Sequence, residues 1–209
     1  MVIGLYDIDL WHGLKKYPNL ELMKVYNYCY QNSQKVLMMQ PSMDEGRFDK
    51  IFYFKEAPYT RIPKSLVLTG ERKTIYGYGF YKHFIPLSEK YKNISPSFLP
   101  YDSYSNKMSN KQSYERMRRS SIVRLENSDF SGFNPETKYC YIVDWDCVEK
   151  ENLIPFIEEY QMKFSFFRGL KIKTVEQFQT LYKYQKKIEN NFAIDFKFSL
   201  DFFIENLHN

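Results

Sequence analysis

The chain reads as an α/β protein, with a Rossmann-like parallel sheet in its N-terminal half and a further β-α-β-α-β-α segment in its C-terminal half. Three observations predict this. Short runs of bulky apolar residues recur along the chain, stretches of helical period lie between them, and the intervals are long enough for crossover connections.

The opening "MVIGLYD" has the character of a buried strand. "PNLELMKVYNYCYQN" follows, with Leu22, Met23, Tyr26, Cys29 and Tyr30 at helical spacing on one face. Pro18 suits the first turn of that helix, where its missing N–H is not needed, and Glu21 suits the positive end of the helix dipole. "QKVLMMQ", "FDKIFYFK" and "KSLVLTG" are the second, third and fourth strand candidates, the last followed by a glycine-bearing turn. After a polar stretch the second half predicts strand "KYCYIVDW", helix "KENLIPFIEEYQ", strand "KFSFFRG", helix "TVEQFQTLYKYQKKIE", strand "FAIDFKFS" and a closing helix "LDFFIENLHN". Asp146 with Glu149 and Thr174 with Gln177 have the spacing of capping boxes, and Pro155 falls near the start of its helix.

A chain of 209 residues buries about 70% of its unfolded surface, enough for a core without disulfides or metals. The 19 Tyr and 18 Phe make it unusually aromatic, which the A/T-rich codons of Tyr, Phe, Lys, Asn and Ile explain without selection for stacking surfaces. No apolar run reaches the length of a membrane span, and Asp7 and Asp9 spoil a signal-peptide reading, so a cytoplasmic protein without membrane contact is expected. Cys29, Cys140 and Cys147 form no metal-binding cluster and fit a reducing compartment. With His12, His83 and His208 as its only histidines, the chain spells out no zinc site. The formal charge of +5 concentrates between Tyr104 and Arg124, where six basic residues face the single Glu115. With Ser and Asn interleaved, residues 104–137 read as an exposed basic connection between segments 1–103 and 138–209.

"IGLYDIDLWHGLKKYPNLELMKVYNY", "FDKIFYFKEAPYT", "LTGERKTIYGYGF" and "ISPSFLPYD" resemble, in spacing and order, the cobalamin-binding-like Rossmann domain that precedes the barrel in a group of radical S-adenosylmethionine proteins, phage-associated ones included. The resemblance covers about residues 1–103, and "YCYIVDWD" through "FSFFRGLKIKTVEQFQ" looks like a truncated, degenerate piece of the barrel. Such enzymes hold an iron-sulfur cluster with CxxxCxxC just after the position of "PSFLPYD"; here that place is "SYSNKMSNKQSYERMRRSS", without cysteine. The DxHxxG signature of many cobalamin domains is also missing, because Asp9 and His12 are three apart and Gly13 follows at once. The resemblance therefore implies a scaffold that has lost its chemistry, and no cofactor is expected.

Asp7 with Asp9 and Asp144 with Asp146 are two apart, and on extended strands each pair would share a face. If both pairs end adjacent parallel strands, up to four carboxylates meet at the carboxyl edge of the sheet, where a hard cation such as Mg²⁺ would bind; the competing reading is that they cap helices and loop amides. No catalytic residue is assigned, the nearest candidates being Asp7, Asp9 and His12, for which a loop histidine packed on an aromatic is the plainer reading. Gly70, Gly77 and Gly79 form neither GxGxxG nor a phosphate-binding loop. The binding candidates are Lys107, Lys111, Tyr114, Arg116, Arg118, Arg119 and Arg124, charges for phosphates and rings for stacking. The expected function is a non-catalytic binding or regulatory protein that engages a protein or nucleoprotein, RNA or DNA included. A phage-encoded inhibitor of a nucleic-acid-handling enzyme, of the anti-CRISPR kind, belongs to that class. The alternative is a metal-assisted hydrolase or nucleotide-modifying enzyme using the strand-end aspartates.

Overall fold

A computed structural model describes residues 1–13, 17–57, 60–77, 85–108, 111–144, 147–167, 169–189 and 193–194. The chain divides into two compact units, Met1–Arg119 and Ser120–Asn209, and the division falls inside the basic segment.

The first unit runs β1 (Val2–Asp7), α1 (Ile8–His12), α2 (Leu20–Gln31), β2 (Lys35–Met38), β3 (Lys50–Lys55), β4 (Lys73–Gly77), α3 (Glu89–Lys92), α4 (Ser105–Met108) and α5 (Lys111–Arg118), with a 3-10 turn over Leu99–Tyr104. Its four strands form a wholly parallel sheet in the order β2-β1-β3-β4. The two central strands are buried almost end to end, as strands covered on both faces must be, whereas edge strand β2 alternates buried and exposed. β1 lies between β2 and β3, so the chain leaves β1 on one side of it and returns on the other. The carboxyl ends of β1 and β3 mark the switch point, the place in open α/β sheets where ligands commonly bind.

Several expectations give way here. "KSLVLTG" is not a strand: Leu66 and Leu68 pack on the core and Val67 is exposed, so the period-2 pattern survives, but the edge of β3 is occupied by Lys73–Gly77. Gly70 does lie in the turn before β4, with φ +145°, where an L side chain would be strained. Pro18 precedes the N-cap of α2, which is Asn19, rather than lying in the first turn; Glu21 is in that turn. Leu22, Met23 and Cys29 are buried as the helical spacing requires, but Tyr30 is exposed. The basic connection is not a linker. Tyr114 and Met117 are buried from α5, an apolar pair three apart that anchors the helix.

The second unit runs β5 (Ser121–Arg124), β6 (Asp129–Gly132), β7 (Tyr139–Ile142), α6 (Leu153–Glu159), β8 (Lys163–Phe166), β9 (Lys171–Ile172), α7 (Val175–Tyr182) and β10 (Ala193–Ile194). Its main sheet has the order β6-β5-β7-β8, parallel across β5, β7 and β8 and antiparallel between β5 and β6; β9 and β10 pair separately. α6 buries Leu153, Phe156 and Ile157, the i, i+3, i+4 stripe, in the cluster that holds Val123, Ile142 and Phe164. Each such side chain contributes about 1.5–3 kcal/mol of burial. Thr174 and Gln177 form the expected capping box, and Pro155 sits in the first turn of α6. Asp146, "LDFFIENLHN" and all of "FAIDFKFS" except Ala193 and Ile194 lie outside the described residues. No described helix is long and apolar enough to cross a membrane.

Candidate functional site

Asp7 closes β1 and caps α1, its Oδ1 accepting from the Leu10 N–H at 3.1 Å. Its Oδ2 accepts from the Tyr101 hydroxyl at 2.6 Å, and that hydroxyl in turn accepts from the Asn19 N–H at 3.0 Å. Tyr101 is fully buried; burial first, then the Asp7 carboxylate, holds its hydroxyl well above the ordinary tyrosine range. Asp9 lies one residue into α1, so it does not share a strand face with Asp7, and the alternation argument fails at the strand-to-helix junction. Its Oδ2 accepts from the N–H groups of Glu56 at 2.6 Å and Ala57 at 3.0 Å, just beyond β3. Between them the two aspartates pin the end of β1 to the end of β3 and to the 3-10 turn.

The same edge holds further polar side chains out of water: Asn19, Glu21, Lys24, Lys55, Glu56 and Thr60. Asn19 caps α2 through its Oδ1, which accepts from the Leu22 N–H at 2.9 Å. Lys24 donates to the Lys92 carbonyl at 2.6 Å, and Lys55 to the Ala57 carbonyl. Among the described residues, the buried atoms Asp9 Oδ1, Asn19 Nδ2 and Thr60 Oγ1 have no hydrogen-bond partner. Sequence pattern alone marks the aspartates but not Asn19, Tyr101 or Thr60. The "PNLELMK" and "PSFLPYD" stretches carry two of them, without any sign that they meet.

His12 lies in the last turn of α1, its Nε2 2.6 Å from the Tyr6 hydroxyl, with the two rings stacked. The aromatic that it packs on is thus Tyr6. Neighbouring Trp11 donates instead to the Met39 carbonyl. Burial holds the His12 pKa below its ordinary value. Burial, then the charge of Glu45, pushes the Tyr6 hydroxyl up to about 12.

Asp144 lies just past β7, in the sheet of the second unit, whereas Asp7 closes β1 in the sheet of the first, so the two strands are not adjacent in one sheet; Asp146 lies outside the described residues. Its two oxygens accept from the N–H groups of Leu125 at 2.7 Å and Glu126 at 2.8 Å. Burial raises its pKa, outweighing those hydrogen bonds and the charge of Arg124. Among the described residues no group of three or more His, Cys, Asp or Glu is placed to hold a metal ion. Cys29, Cys140 and Cys147 are buried thiols, and burial pushes Cys29 up to about 11.

The basic candidates separate. Lys107 is exposed on α4, its Nζ 4.5 Å from the Trp11 ring centre; Lys111 opens α5; Arg116, Arg118 and Arg119 are exposed along it and at its end. Arg118 pairs with Asp102 at 3.4 Å and Glu115 at 3.8 Å. Tyr114 is turned inward, its hydroxyl donating to Asp102 at 3.0 Å, so its ring offers no stacking face. Arg124 is buried in β5 of the other unit. No family model, curated protein or solved structure matches the chain.

Proposed function

We propose that this is a non-catalytic binding protein whose working surface is the exposed basic segment of α4 and α5, and that it engages the nucleic-acid component of a nucleoprotein. One observation carries the reading: Lys107, Arg116 and Arg118 are exposed on two successive short helices at the end of the first unit, and Arg119 is exposed just past the second. Guanidinium groups on one short segment suit phosphates, to which they bond in bidentate fashion, and α5 is anchored from beneath by Tyr114 and Met117. The hydrolase alternative is less favoured because Asp7, Asp9 and Asp144 each spend carboxylate oxygens on backbone N–H groups. An inhibitor of a nucleic-acid-handling enzyme would use such a segment to compete for that enzyme's nucleic acid.

The test is fluorescence anisotropy with a labelled duplex DNA and a single-stranded RNA, at low and physiological salt, with the triple variant Arg116→Ser, Arg118→Ser, Arg119→Ser alongside. Binding of either probe that the triple variant abolishes supports the proposal. Absence of binding at low salt, or equal binding by the variant, rejects it.

A further inference from the structure

Trp11 and Tyr104 form an aromatic corner at the start of the basic segment. Trp11 belongs to α1, and Tyr104 ends the 3-10 turn directly before α4. Their rings meet edge to face, with centroids 5.2 Å apart and planes at 84°. Both rings are held in place. The indole N–H donates to the Met39 carbonyl at 2.8 Å, and the Tyr104 hydroxyl accepts from Gln40 Nε2 at 3.0 Å. Trp11 is half-buried, with part of its surface packed on the core of the first sheet. Over its ring lies the Lys107 ammonium, 4.5 Å from the ring centre, at the end of an exposed and flexible side chain.

The pairing of ring and charge selects the ligand. Exposed cations alone would serve any polyanion, a duplex or an acidic peptide included. An unpaired base differs from these in carrying a free π-face beside a phosphate, whereas the faces of duplex bases are spent on their neighbours in the stack. Stacking of a base on an aromatic side chain is stronger than a cation–π contact at an exposed site, so a base outcompetes Lys107 for the ring. The displaced ammonium is then free to meet a phosphate of the same strand. Because hydrogen bonds already fix both rings, little order is lost when the base arrives. Granted the phosphate-binding role proposed for α4 and α5, we infer that this segment binds single-stranded nucleic acid, with one base stacked on Trp11 in the place that Lys107 occupies in the free protein.

The experiment uses the full chain and four labelled probes of equal length: oligothymidylate, oligouridylate, an abasic strand and a duplex. In anisotropy titrations the better of the two base-bearing strands should bind about tenfold tighter than the abasic strand, which offers the same phosphates without rings. Which of the two is the better names the sugar. The chain holds two tryptophans, Trp11 and Trp145, so in a Trp145→Phe background the emission reports Trp11 alone. Base-bearing strands should quench that emission and the duplex should leave it unchanged. Trp11→Leu should weaken the base-bearing strand by about tenfold and bring it level with the abasic one, and Trp11→Phe should retain most of the difference. If either tryptophan variant fails to fold, the abasic comparison on the native chain decides. Equal binding of abasic and base-bearing strands leaves the phosphate-binding reading standing and overturns the stacking. Quenching by the duplex as strong as by the strands, or a folded Trp11→Leu protein that binds the strands unchanged, does the same. Failure of all four probes to bind at low salt overturns both.

Discussion

Tyr101 donates its hydroxyl to Asp7 across 94 positions of sequence, and through the Asn19 N–H it ties the end of β1, the start of α2 and the 3-10 turn into one buried knot. Tyr101→Phe removes a donor and an acceptor together, leaving Asp7 Oδ2 and the Asn19 N–H short of a partner in a dry place. A loss of about 1–3 kcal/mol is expected from urea denaturation. Tyr30→Phe, at a hydroxyl on an exposed residue, should change stability by less than about 0.5 kcal/mol and serves as the control. Equal effects of the two would show that the knot contributes nothing.

The His12 pKa lies below its ordinary 6.5 in the folded chain, because burial disfavours the charged ring. In the window from 6.5 down to the folded value the unfolded chain binds more protons, so stability present above 6.5 is lost as pH falls. Urea midpoints measured between about pH 7.5 and pH 5 should decline for the native protein and decline less for His12→Gln. Parallel curves for the two proteins would remove His12 from the account.

How much of this was legible in the sequence depends on range. β1 and β3 announced themselves as unbroken apolar runs because a central parallel strand is covered on both faces, and α6 through its Leu153, Phe156, Ile157 stripe. β4 was misplaced because "KSLVLTG" and "KTIYG" both suit a strand, and only the pairing of Ile51 through Lys55 with Lys73 through Gly77 decides between them. The segment around α5 misled for another reason. Its charges and serines suggest a solvated connection, while Tyr114 and Met117, three apart, give one short apolar stripe among them. At the candidate site Asp7 and Asp9 were visible as a motif, but their partners Tyr101, Glu56 and Ala57 lie 94, 47 and 48 positions away, where no periodicity reaches.

Gly13 is required by close approach rather than by a left-handed backbone, its φ being −114°. An added Cβ would stand 2.5 Å from Thr60 Oγ1 and 2.7 Å from the Asp9 carbonyl oxygen, and backbone cannot swing aside as a flexible side chain can. Gly13→Ala should cost about 1–3 kcal/mol in urea denaturation. Unchanged stability would mean that the turn relaxes freely.

For the basic segment, removing one arginine that meets a phosphate should flatten the dependence of log affinity on log salt by about 0.9 for duplex DNA and about 0.7 for a single strand. The single variants Arg116→Ser, Arg118→Ser and Arg119→Ser are each expected to lower the slope in anisotropy titrations. The smallest change falls to Arg118, whose guanidinium already answers Asp102 and Glu115. A largest effect at Arg118 would mean that those ion pairs open on binding, and unchanged slopes at all three would place the phosphate-binding groups elsewhere.

Asp144 uses both oxygens on the N–H groups of Leu125 and Glu126, where β5 ends and the chain turns. Asn at this position keeps one acceptor and turns an NH₂ group toward the other N–H, leaving a buried donor facing a donor. Asp144→Asn should therefore lose about 1–3 kcal/mol in urea denaturation. The local signature is amide hydrogen exchange: the Leu125 and Glu126 amides should exchange faster in the variant than the Cys140 amide of β7 does relative to its own native rate. Native protection at both turn amides would show that the carboxylate is incidental to the turn, and that the burial which raises its pKa is the only mark it leaves.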